Sequence, residues 1–106
     1  MAWILLLVAG IFEIGFAMGL KYSEGFTRLW PTLIMAASGG LSFYLLSISM
    51  KSLSVGTAYA VWTGIGAAGT VVLGIVFLKE PSGLFRLLSI SLIVAGIVSL
   101  RISSPG

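Results

Sequence analysis

A chain of 106 residues has room for one domain, and this one is poorly suited to water: 58% of its residues are hydrophobic, 8% are charged, and the mean hydropathy is +1.17. Soluble domains carry about 25% charged residues, and a fold this small could not hide so much apolar surface from water; a bilayer is the solvent that removes the difficulty. The absence of cysteine and histidine excludes disulfides, thiolate chemistry, His-ligated metals and a His-based triad, and a net charge of +3 scattered over separate sites is not a nucleic-acid-binding patch.

The first apolar run, residues 3–20, contains a single charged side chain, Glu13, near its middle. No Lys or Arg precedes the run and an acid interrupts it, which argues against a cleaved leader. Turn chemistry follows at 21–30, around Gly25. Pro31 suits the first turn of a second helix, 31–50, because its missing N–H would be unpaired there anyway. Residues 29–50 and 52–78 carry no charge, and a crossing takes about 20 apolar residues; a third helix is expected over 57–78. The last uncharged run, 87–100, is shorter, but Arg86 and Arg101 can snorkel from its ends, giving a helix over 84–103. Residues 51–56 and 79–83 are the remaining connections. Trp3, Tyr22, Phe26 and Trp30 fall at the expected membrane interfaces, where amphipathic rings concentrate, and 103–106 reads as a frayed end. The expected fold is a single all-α membrane domain over 1–106, with four transmembrane helices.

Four crossings put both termini and the 51–56 connection on one side, with Lys51 and Arg101. Lys21, Arg28, Lys79 and Arg86 lie on the other. Cytoplasmic loops carry the excess of Lys and Arg, but a difference of this size gives only a weak orientation bias, and dual topology stays open. The string "GIGAAG" at 64–69 matches the dinucleotide fingerprint G-x-G-x-x-G. That fingerprint needs a preceding strand and a following acid; inside an uncharged span, small residues serve close packing of helices instead.

Glu13 is the residue that needs a reason. An ionised acid at the bilayer centre costs roughly 2.5–3.5 kcal/mol on insertion scales, so such residues are functional by default. Burial disfavours the charged form, so the group readily holds a proton. Once deprotonated, it attracts a cation strongly in low dielectric. A side chain that holds either a proton or an organic cation meets the minimum requirement of an antiporter. All six cations lie at span ends, so the partner of Glu13 is expected from outside. Gly10 and Phe16 share its helix face. Tyr59 and Trp62, at i and i+3 in the third span, offer aromatic faces to a cation and hydrogen bonds to a carboxylate. Ser42 is the mid-span hydroxyl of the second helix. Four helices alone do not easily enclose a water-accessible path. A dimer would bring two copies of Glu13 together, and an antiparallel one would form an inverted repeat.

"LKYSEGFTR" at 20–28 after Glu13, "GTAYAVWTGIG" at 56–66 and "LIVAGI" at 92–97, in this order and across the whole chain, resemble the small multidrug resistance family. The wording of the third span is similar to its guanidinium-exporter subtype. The resemblance implies an antiparallel, dual-topology dimer in the bacterial inner membrane that exchanges protons for guanidinium and small guanidinyl cations, without a cofactor or enzymatic step. Glu13 would be the shared proton and substrate site. Gly10, Phe16, Ser42, Tyr59, Trp62 and Thr63 would line it, and Gly96 in the fourth helix would lie at the dimer interface. Phe16 stands where the subtype usually has Trp and cannot donate an indole hydrogen bond, which favours looser selectivity. Arg101 stands where the family has Lys, keeping the charge but changing the donor geometry. The resemblance also admits paired, non-identical subunits in place of a homodimer. Two other functions stay open: export of quaternary ammonium and other hydrophobic cations, and a non-transporting membrane subunit of a larger complex. The last leaves Glu13 without a reason.

Overall fold

The computed structural model describes residues 1–103; residues 104–106, and with them most of the expected frayed end, lie outside the described residues. It contains four helices: α1 (Ala2–Tyr22), α2 (Leu29–Ser49), α3 (Val55–Phe77) and α4 (Leu84–Ser103). Each is long and apolar enough to cross a membrane, which fits the all-α membrane fold expected from composition. Pro31 sits in the first turn of α2, where it removes no helical hydrogen bond.

The boundaries have local causes. After α1, Ser23 is completely buried; its hydroxyl donates to the Leu20 carbonyl at 2.7 Å and accepts the Phe26 N–H at 3.3 Å. Glu24, Gly25 and Phe26 then take positive φ angles of 48°, 74° and 68°, reversing the chain in a few residues. Ser54 caps α3 by accepting the Thr57 N–H at 3.3 Å, satisfying one of the donors a helix start leaves free. At the far end of α3, Lys79 turns through φ 56° and the Glu80 N–H reaches back to the Gly74 carbonyl at 3.1 Å. The Glu80 carboxylate lies against Gly74, and Arg86 at the start of α4 pairs with it at 3.1 Å.

α1 lies between α2 and α3, with α4 packed along the outer side of α3. The molecule is a thin slab, 43 × 34 × 16 Å. Its core is the seam of the first three helices, built from Leu6, Ala9, Leu46, Ala58, Val61 and Trp62. Large apolar side chains cover the outside, among them Leu7, Ile34, Tyr44, Val76 and Leu92. In lipid such a surface carries no hydrophobic penalty, and helices associate through close packing instead. Small residues provide that packing. A methyl group on Gly19 would stand 3.0 Å from Cβ and 3.1 Å from the backbone of Met35, so α1 and α2 meet nearly backbone to backbone there. α4 has no buried residue. Ser89, Ser91 and Ser99 satisfy their hydroxyls on carbonyls one turn back in α4 itself, and Arg101 lies over the Trp3 ring, 5.1 Å from its centroid, tying the last turn of α4 to the first turn of α1.

Because the neighbour of Gly19 is backbone and cannot turn aside, Gly19→Ala is expected to part α1 from α2 and cost about 1–3 kcal/mol. Gly40→Ala, whose added methyl meets nothing within 4 Å, should not destabilise the fold. Reversible unfolding of both variants in detergent micelles checks the contrast.

Candidate functional site

Glu13 lies just past the middle of α1 and turns toward α3 rather than toward lipid. Its carboxyl rests on Gly66: a Cβ built there would collide with the carboxyl carbon and both oxygens. Oε2 is buried without a hydrogen-bond donor, and the ion pair found among the described residues is the distant Arg86–Glu80 pair. Among the described residues, no fixed counter-charge holds this acid.

Beside it is a small cavity of about 50 Å³ lined by Glu13, Phe16, Gly39, Ser42, Phe43 and Trp62. The wall opposite α1 is held by a chain of hydrogen bonds across the helices. The Trp62 indole N–H donates to Ser42 Oγ at 2.7 Å, and the Ser42 hydroxyl donates to the Ala9 carbonyl at 2.7 Å. All three helices of the core are joined by these two bonds. Ser47 and Ser49 behave differently, donating to carbonyls three residues back in α2, so Ser42 is the serine of these three that binds another helix. Trp62 also meets Phe43, with centroids 5.3 Å apart, and Tyr59, at 5.6 Å. Each ring offers a face to a cation or an edge to a neighbour.

The residues singled out from sequence therefore divide. Glu13, Phe16, Ser42 and Trp62 converge on the cavity. Tyr59 touches Trp62 but is 55% exposed and faces the groove between α3 and α4. Thr63 lines that groove too, with Gly96 across it on α4; a residue directly after Trp62 in a helix points about 100° away from it. Gly10 is buried one turn below Glu13, where an added Cβ would stand 2.7 Å from Ile65 Cβ, so it admits α3 rather than lining the cavity. The groove is larger, at about 810 Å³, but it is lined mostly by apolar side chains and none of its lining residues is a carboxylate. Gly39 and Phe43 are cavity residues that the sequence did not single out. The signal was present in part: Gly39 stands three residues before Ser42 and four before Phe43, the spacings that bring helical residues to one side.

The "GIGAAG" string also acquires a purpose. Gly66 seats the carboxyl of Glu13, Gly69 takes the tip of Ile14, and Gly64 faces Ile97 and Ile93 of α4. Each glycine admits a neighbouring helix, and no phosphate-binding turn is formed.

The family model described as Small Multidrug Resistance protein matches residues 1–93. This chain belongs to the small multidrug resistance family. Curated relatives named guanidinium exporter include those of Yersinia pseudotuberculosis, 56% identical over 98% of this chain and 100% of its own length, and of Proteus vulgaris, 51% identical over the same shares. The relative of that name from Citrobacter freundii is 54% identical over 98% of this chain and 99% of its own length. With four membrane-crossing helices, this member of the family is a multi-pass cell-membrane protein.

Two outcomes follow for stability. Ser42→Ala leaves the buried Trp62 N–H without its acceptor and is expected to cost roughly 1–3 kcal/mol, whereas Ser47→Ala should stay within about 0.5 kcal/mol. Gly66→Ala must displace the Glu13 carboxyl or part α1 from α3, at about 1–3 kcal/mol. Gly64→Ala meets the outer side-chain carbons of Ile97 at 3.0 and 3.1 Å and Ile93 Cγ2 at an ordinary 3.4 Å, and should cost less. Unfolding midpoints of the four variants in one detergent provide the comparison.

Proposed function

We propose that this chain is a proton-coupled antiporter that exports guanidinium and small guanidinyl cations, working as an antiparallel dimer with Glu13 as the shared site for proton and substrate. One observation carries the reading: a membrane-buried carboxyl without a counter-charge among the described residues, beside an aromatic-walled cavity. The names of the relatives supply the substrate. Their activity is transport, so binding and release replace any bond-making step.

The chemistry fits the residues. A planar guanidinium offers paired N–H donors to a carboxylate and a flat face to Trp62. While the cation is bound, the carboxylate must be ionised; when the cation leaves, a proton restores neutrality in the apolar surroundings. The two occupants take turns, and this exclusion couples their fluxes. Phe16, Ser42 and Trp62 surround the carboxyl directly, and Tyr59 supports Trp62 from the groove side. Gly10 and Thr63 contribute by placing α3 against α1 and α4. Alternating access then needs the site to open to one side at a time, which two oppositely inserted copies provide by symmetry. The exposed α4, with open space above Gly96, suits the face that meets the second copy, and membrane lipid covers the remainder.

A second reading has one observation in its favour: Phe16, Phe43 and Trp62 make the cavity wall largely aromatic, which also suits quaternary ammonium ions that lack N–H donors. Guanidinium ranks first because Glu13 Oε2 has no donor of its own and a guanidinium brings N–H donors that a quaternary ammonium lacks.

In proteoliposomes with an imposed proton gradient, the wild-type chain is expected to accumulate guanidinium. Glu13→Gln, still dimeric by cross-linking, is expected to fall to the level of protein-free vesicles. Retained proton-driven uptake by Glu13→Gln would remove the proposal. Competition by a tetraalkylammonium ion that exceeds competition by guanidinium would reverse the ranking of the two substrates.

A further inference from the structure

We infer that Gly39 sets how large an N-substituent the cavity beside Glu13 accepts, by giving the ring of Phe16 a place against α2; this rests on the guanidinium reading above. Gly39 is buried in the middle of α2, and the Phe16 ring lies against its bare backbone. A Cβ at that position would stand 2.7 Å from Phe16 Cδ1 and 3.2 Å from Cε1. Carbon atoms in good contact are about 3.5–4.0 Å apart. A single added methyl group therefore cannot coexist with the ring where it now lies.

Both residues line the cavity that holds the Glu13 carboxyl, and the other walls are committed. Ser42 is held between Ala9 and Trp62, and Trp62 is braced by Phe43 and Tyr59. Phe16, by contrast, has no polar atom and no hydrogen bond to fix it. Its position is decided by packing, and the absent side chain at Gly39 is what it packs into. Pushed off α2, the ring takes up space beside the carboxyl, where a substituent on the cation would lie. Bare guanidinium, being planar and compact, loses less from that intrusion than an arylated one. Gly40 next door provides an internal control, since a methyl group there meets nothing.

The experiment compares proton-driven uptake of guanidinium and phenylguanidinium by reconstituted protein and reads the ratio of the two rates. One methylene in an apolar pocket is worth roughly 10- to 200-fold in discrimination. Gly39→Ala is expected to lower the phenylguanidinium-to-guanidinium ratio by about tenfold, with Gly40→Ala leaving it as in the wild type. Phe16→Leu is expected to raise the ratio, and Phe16→Leu combined with Gly39→Ala to recover most of what Gly39→Ala loses. If Gly39→Ala does not fold, the rise in Phe16→Leu decides, and an unchanged or lowered ratio there overturns the inference. Equal ratios in Gly39→Ala and Gly40→Ala, with wild-type guanidinium uptake intact, overturn the role of Gly39 and leave the transport reading standing. A wild-type chain that carries no guanidinium overturns both.

Discussion

A carboxyl group pressed onto a glycine in the middle of a membrane slab is the constraint around which this molecule is arranged. Glu13 rests on Gly66 with Oε2 buried and unpaired. The same chain shows how an acid looks when its charge is settled. Glu80 also lies on a glycine of α3, Gly74, but it does so at the end of the helix and in contact with Arg86. Two acids seated on glycines of the same helix, α3, thus have opposite electrostatics. An exposed pair such as Glu80–Arg86 adds little stability and does not need to. Glu13 is costly for as long as it stays charged and alone, and that cost makes a transient partner useful.

The packing serves this arrangement. α1 must be the central helix for its acid to be shielded from lipid, and its small residues make that position available. Gly19 lets α2 approach, and Gly10 lets Ile65 of α3 approach. From the other side, Gly66 and Gly69 admit Glu13 and Ile14. The aromatic residues then divide by environment. Trp62 is 7% exposed and carries its N–H bond inside the seam, whereas Trp30, at 72%, stands near the membrane edge. α4 takes no part in enclosing the acid, and its serines close their hydrogen bonds on their own helix. With no buried residue, α4 leaves most of its surface to its surroundings.

Charge placement made the four spans legible before any coordinates. Long uncharged runs bounded by Lys, Arg, Gly and Pro have few other interpretations. Glu13 was legible for the same reason, as the lone acid in such a run, and "GIGAAG" was legible as packing because its surroundings lacked everything else a nucleotide site needs. Helical spacing reached less far. It correctly relates residues on one helix, but it does not say which neighbour covers a given face. Gly10 shares the Glu13 side of α1, yet Ile65 fills the space beside it. Tyr59 and Trp62 share a side of α3, yet one ring looks into the seam and the other into the groove toward α4. Gly39 escaped notice because a glycine offers no chemistry of its own; its importance lies in the ring it receives, and that ring belongs to another helix.

The bond from Ser42 to the Ala9 carbonyl carries a mechanical implication. In an α-helix the carbonyl of residue 9 is also the acceptor for the amide of residue 13, so the peptide group that receives Ser42 is the one that anchors the backbone of Glu13. Trp62, Ser42 and the glutamate's own turn are therefore linked in series. A rocking of α3 against α2 is passed through these two bonds to the main chain beneath the acid, so the cavity wall and the charge beside it share a single lever.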